Sequence, residues 1–235
     1  MINHRRTAVI VGVLYIVGTV SGILSAVVTG DLLATESPFL IIAANPARLR
    51  LGAFFVLLMG LALAAMPVFL FPLFRRKDEA LALGLVVFRG AIEGATYLLF
   101  VISFLLLSSF SSGIAAEGGD AGAVAAGTLP PALLAVGSTL LHSHESIAPV
   151  LTIVFIIGAV FLYALFYQTK LIPRWLSLWG LIAAVPYLAV DLLKFFGVDL
   201  GLEFLYAPLG VQEMVMALWL IIRGFDRAAV EALTA

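Results

Sequence analysis

Residues 80–110 read ALALGLVVFRGAIEGATYLLFVISFLLLSSF, and the fold turns on this stretch. It is longer than the ~20 apolar residues a helix needs to cross a bilayer core, yet it holds Arg89 and Glu93 four residues apart. An ionised side chain in hydrocarbon costs several kcal/mol or more, so it persists only with a partner or a task. The stretch therefore reads as a spanning helix with a polar site inside it.

Five further apolar runs flank it, at residues 7–28, 49–74, 150–167, 176–196 and 206–223. The whole chain is 63% hydrophobic and 11% charged, with a mean hydropathy of +1.17. Soluble domains carry about 25% charged residues, so this supply cannot cover a water-exposed surface. The expected fold class is all-α, one polytopic membrane domain of six helices over residues 1–235. Residues 4–6, His-Arg-Arg, precede the first run, but that run exceeds the ~7–15 apolar residues of a cleaved signal. A retained first helix is the expectation.

Composition also narrows function. The net charge of −1 argues against a nucleic-acid partner. With no cysteine, disulfides, thiolate metal sites, iron–sulfur clusters and a cysteine nucleophile are excluded.

Lys and Arg set an expected orientation. With the N-terminus cytoplasmic, that side holds Arg5, Arg6, Arg75, Arg76, Lys77, Lys170, Arg174, Arg223 and Arg227, against Arg48, Arg50 and Lys194 outside. The bias places both termini in the cytoplasm. The connection 111–146 lacks Lys and Arg and belongs outside. Its first part, 111–128, is rich in Gly, Ala and Ser and is expected to be mobile. Residues 130–141 are apolar but too short to span, which predicts a separate interfacial or re-entrant helix, a lid capping an outward-facing cavity.

Local signals mark helix ends and contacts. Asn45-Pro46 predicts an N-cap and first-turn proline for the second helix, and Asp78-Glu79 the start of the third. Pro67, Pro72 and Pro186 are expected to bend their helices. Gly18 with Gly22 and Gly90 with Gly94 predict close helix approaches, within one chain or across a dimer.

Depth links the charged residues. At 1.5 Å per residue, Arg89 lies about 12 Å and Glu93 about 18 Å from the cytoplasmic end, Asp191 about 22 Å, and Glu213 about 10 Å from the outer end. In a core about 30 Å thick, Glu93, Asp191 and Glu213 share one slab. Tyr97 continues the Arg89–Glu93 face, Gln212 offers an amide to a neighbouring carboxylate, and Lys194 is placed to neutralise Asp191. Arg89, Glu93, Tyr97, Asp191, Gln212 and Glu213 form the candidate ligand site. One arginine does not neutralise three acids, which points to a proton, a cation or a cationic ligand. The alternative is an ion-pair network that fixes helix register.

A second cluster is His142-Ser143-His144-Glu145. Residues two apart on a helix face nearly opposite ways, so zinc binding through His142 and His144 requires an extended segment or the buried acids as further ligands. Trp175, Trp179 and Trp219 sit where interfacial aromatic belts lie. No phosphate loop, dinucleotide fingerprint or HExxH is present.

Three segments carry a family resemblance: Phe88-Arg89 with Glu93; Pro173-Arg174-Trp175-Leu176-Ser177-Leu178-Trp179-Gly180; and Glu213-Met214 with Leu218-Trp219-Leu220-Ile221 and Gly224-Phe225. With them the chain resembles, over almost its whole length, the bacterial membrane family designated domain of unknown function 4386. The resemblance implies a six-helix integral membrane protein and assigns no activity. The family more often has Asn before the glutamate, where this chain has the longer Gln212.

Function classes follow. The leading expectation is a small-ligand, cation or proton binding, sensing or transport protein, with a lipid ligand also compatible. A metal-dependent intramembrane hydrolase or lipid-modifying enzyme and a structural or accessory subunit are the alternatives.

Overall fold

The computed structural model describes residues 4–33, 38–117 and 130–234. The first span is α1 (His4–Leu33), followed by the short α2 (Pro38–Ala44) and the second span, α3 (Pro46–Phe74). The third span is composite: α4 (Glu79–Leu85), a π-helical segment (Val86–Ile92) and α5 (Glu93–Glu117). The fourth, fifth and sixth are α6 (Pro131–Thr169), α7 (Arg174–Phe195) and α8 (Ala207–Ile222), the last entered through a 3-10 turn (Glu203–Tyr206). A terminal helix, α9 (Arg227–Thr234), follows. Six helices are thus long and apolar enough to cross a membrane. An even number of spans puts both termini at one end of the bundle, the terminal end; the other is the far end.

Each span packs on its neighbours in sequence, and α8 returns to pack on α1, closing a ring of six. Short connections between antiparallel helices favour this order. Small residues set the closest approaches. A Cβ at Gly12 of α1 would lie 2.6 Å from the Ala217 carbonyl oxygen on α8. Gly18 and Gly22 face Leu63 and Met59 of α3, while Gly90 and Gly94 face Ala64. Both glycine pairs therefore serve packing within the chain. Outside the ring, Val27, Val68, Val185 and Ile222 are each at least 65% exposed. Such surface suits a lipid environment.

At the ends, polar groups close the helices. Asp78 caps α4 by accepting from the Leu81 amide at 3.0 Å, as its sequence position predicts. Asn45 does not cap α3: its amide turns back to donate to the Ile41 carbonyl at 3.1 Å, closing α2 instead. Pro46 explains this, because a proline at the first helical position already removes one amide that would need capping. Arg5 reaches from α1 to the carbonyls of Leu220, Ile221 and Ile222, the last turn of α8, where a cation complements the helix dipole. α3 continues through Pro67 and Pro72, α7 through Pro186, and α6 through Pro149.

The apolar stretch expected to form a separate capping helix is instead the opening of α6, which runs 39 residues without interruption. At 1.5 Å per residue that helix is about 58 Å long, nearly twice the bilayer core. The composite third span is comparably long, so both project beyond the membrane at the far end. There Phe39 of α2 and Phe110 of α5 pack edge to face, with centroids 5.7 Å apart, against Gly137 of α6. Residues 111–117 of the stretch expected to be mobile continue α5; residues 118–129 lie outside the described residues.

Candidate functional site

Arg89 lies in the π-helical segment, and Glu93 begins the α-helix that follows it. The Glu93 amide donates to the Phe88 carbonyl, five residues back. This wider turn is rare and occurs mostly as short insertions at functional sites. Here it redirects two charged side chains into the ring without ending the helix. Gly158 of α6 permits it: a Cβ there would lie 3.0 Å from Arg89 Cβ and 3.2 Å from its Cα and N. A backbone-to-backbone approach this close favours glycine.

Inside the ring, Arg89 is 1% exposed and Glu93 0%. Arg89 Nη1 lies 3.9 Å from Glu93 Oε2, and Nη2 lies 3.5 Å from Glu213 Oε1 on α8. Charge-assisted hydrogen bonds are shorter, about 2.7–2.9 Å. These are therefore ion pairs across a gap. Arg89 Nε, Nη1 and Nη2 and both Glu93 oxygens have no hydrogen-bond partner among the described residues. The guanidinium carbon sits 5.4 Å from the Tyr15 ring centroid and 4.9 Å from that of Phe155. Aromatic faces stabilise a buried cation in this way. Four spans thus meet at one guanidinium: α1 through Tyr15, the third span through Arg89 itself, α6 through Phe155 and α8 through Glu213. Of the three charged residues Glu213 is the most open, its side chain 14% exposed.

Tyr97 is buried one turn beyond Glu93, with Gly60 of α3 against its side chain. Gln212, fully buried, accepts from the Tyr163 hydroxyl at 2.8 Å and donates to the Leu176 carbonyl at 3.0 Å. It serves no carboxylate. Its place one residue before Glu213 turns it about 100° around α8, toward α6 and α7. It ties three spans together beside the site, and the Tyr163 hydroxyl it holds lies beside Glu213 and Tyr15. Replacing it by leucine removes the partner of a buried hydroxyl. Gln212→Leu is expected to cost about 1–3 kcal/mol, read as a lower melting temperature in detergent; an unchanged melting temperature would show that this bridge does not hold the bundle.

Asp191 is buried on α7 but does not join the arginine. The hydroxyls of Tyr206 and Thr152 lie beside its carboxylate. Lys194, expected to neutralise it, pairs instead with Glu203 at 2.6 Å. Glu203 opens the 3-10 turn before α8, and that turn carries it within reach of the lysine. The two polar clusters are joined by rings. Tyr206 stacks on Tyr187 at 4.3 Å, Tyr187 meets Phe155 at 5.7 Å, and Phe155 faces Arg89. Tyr187 stands within electrostatic range of both Asp191 and Glu213.

The histidines are helical, on α6, and diverge as residues two apart must. His142 Nδ1 pairs with the Ser138 carbonyl at 2.8 Å. His144 packs edge-on against Phe100 and Phe104 of α5. Among the described residues no three His, Asp or Glu side chains come together as metal ligands.

Sequence reasoning missed Tyr15, Phe155 and Tyr163, which look like ordinary core aromatics. Their signal is distributed: each is an aromatic on a different turn or span from the charges it touches.

Residues 10–224 match the family model described as domain of unknown function 4386. Comparison with curated proteins and with solved structures finds no match. The chain belongs to the domain of unknown function 4386 family, and it is a multi-pass membrane protein.

Proposed function

We propose that this member of the domain of unknown function 4386 family binds one small positive charge, a proton or a small cation, between Glu93 and Glu213, and couples that event to sensing or transport in a bacterial plasma membrane. One observation carries the reading: a single guanidinium stands between two carboxylates, so the buried group is one positive charge short of neutral. The basic residues collected at the terminal end support a cytoplasmic location for both termini.

The roles follow from placement. Glu93, wholly enclosed, supplies the deeper oxygens. Glu213, partly open, is the acid through which the charge enters. Arg89, held by Tyr15 and Phe155, is the fixed counter-charge that keeps two nearby carboxylates in one site. Separations of 3.5 and 3.9 Å leave room for a proton on either carboxylate, and argue against a bulky organic ligand.

The test uses purified protein in nanodiscs. Proton uptake is followed with a pH indicator, and sodium and potassium binding by calorimetry at fixed pH. One saturable site is expected in the wild type, weakened in Glu93→Gln and in Glu213→Gln and absent in the double variant. If both single variants bind as the wild type does, the assignment is wrong. Absence of any proton or cation uptake by the wild type would return the arginine and its acids to a purely structural ion-pair role.

A further inference from the structure

At the terminal end, away from the ring centre, the molecule holds a second polar feature. A cavity of about 1260 Å³ opens between the α3–α4 turn, the α6–α7 connection and the start of α9. Arg76, Lys77, Lys170, Arg174, Arg223 and Arg227 line it, with Asp226 the single acid. None of the six makes an ion pair among the described residues. Arg76 is partly engaged, 3.5 Å from the carbonyls of Leu233 and Thr234. Asp226 is engaged as well: its carboxylate accepts from the Ala229 amide at 2.9 Å, capping α9. Five cations thus face one cavity with no anion of the protein matched to them.

The walls are built rather than fluid. The Asp226 amide donates to the Leu171 carbonyl at 2.9 Å, fastening the α6–α7 connection to the turn before α9. Leu171, Ile172 and Phe225 are buried behind the basic rim. Arg174 lies over the Tyr167 ring at 4.9 Å, which fixes its guanidinium. Lys170 is the most telling member. Its φ is +57°, and it is the one non-glycine residue in the left-handed region among the described residues. Glycine or asparagine suits that place at a helix C-terminus. A lysine held there against backbone preference brings an ammonium to the cavity mouth, and strained residues of this kind cluster at ligand sites.

We propose that this cavity binds a phosphate-bearing anion, the headgroup of an anionic phospholipid or a soluble phosphate compound, through Lys77, Lys170, Arg174, Arg223 and Arg227. The chemistry fits: guanidinium forks match phosphate oxygens in pairs, and lysine adds point charges. An apolar wall behind a basic rim at the membrane surface also suits the glycerol end of a lipid.

The experiment uses the full-length protein in phosphatidylcholine nanodiscs. Phosphatidylglycerol is added to the bilayer in one arm, and sodium pyrophosphate to the buffer in the other. Retained ligand is read by native mass spectrometry and affinity by titration. Lys170→Gly removes the charge while giving the backbone its preferred residue, so a folding defect does not confuse the result. Arg174→Gln/Arg223→Gln is the second variant, and Arg50→Gln at the far end is the control. Binding should weaken about fivefold for each charge removed and stay unchanged in the control. Retention of phosphatidylglycerol alone identifies the lipid source, and binding of pyrophosphate identifies the soluble one. No binding of either probe, binding unaffected by both variants, or an equal loss in Arg50→Gln would overturn the proposal.

Discussion

Arg89→Met is expected to destabilise the bundle by about 3–5 kcal/mol, the usual cost of removing one partner from a buried ion pair. The change takes away the only cation among the described residues within ion-pair distance of Glu93 and Glu213. Glu93 has no solvent to turn to, being 0% exposed, and two carboxylates on facing helices then repel. Thermal melting in detergent reads the loss. A second variant separates stability from function. In Arg89→Met/Glu93→Gln/Glu213→Gln no charge is left to bury, and replacing a buried ionic group by neutral side chains of similar volume is often close to neutral. The triple variant should recover most of the lost melting temperature while binding neither proton nor cation. Arg89→Met as stable as the wild type would show that the three charges are not coupled. A triple variant that still binds would remove the acids from the site.

That reasoning began from residues visible in the sequence, and the reach of the sequence can be traced through them. Hydropathy fixed the six spans because the solvent on every outward face is hydrocarbon, so nothing polar is needed there. Depth along each helix brought Arg89, Glu93 and Glu213 to related levels, and they do meet. The same argument placed Asp191 with them, and there it failed. Rise per residue gives one coordinate, whereas contact also needs the direction around the helix axis, which depends on ring order. Asp191 points to Tyr206 and Thr152 instead.

Other misses have local causes. The π-helical turn at residues 86–92 leaves no mark on apolar periodicity over so short a length, and the glycine that accommodates it, Gly158, lies on another helix. The opening of α6 looked too short to span because His142, Ser143, His144 and Glu145 interrupt the apolar pattern. A helix that projects past the membrane has no reason to stop at polar residues. Gln212 was expected to serve a carboxylate, but its neighbours at that point of the ring are a hydroxyl and a carbonyl. Tyr15 and Phe155 carry no pattern that distinguishes a cation's aromatic wall from core packing.

Gly158→Val should then produce the second large effect, through backbone rather than charge. The added Cβ alone falls 3.0 Å from Arg89 Cβ and 3.2 Å from Arg89 Cα and N. Those atoms belong to the main chain or its root, so no side-chain rotation relieves the contact, and valine adds two further carbons. Overpacking of this kind costs about 1–3 kcal/mol. Its specific consequence is that α6 and the π-helical segment must part, which moves Arg89 away from Phe155 on α6 and changes its distance to Glu213. Proton or cation binding should therefore fall in the fraction of protein that remains folded, although no charged residue has changed. Gly113→Ala is the matched control, because a Cβ there meets nothing within 4 Å; it should bind normally and gain slightly from helix propensity. Melting temperature and binding are measured on both. If Gly158→Val melts and binds as the wild type does, the contact between α6 and the π-helical turn does not position Arg89, and the site must be held by its charges alone.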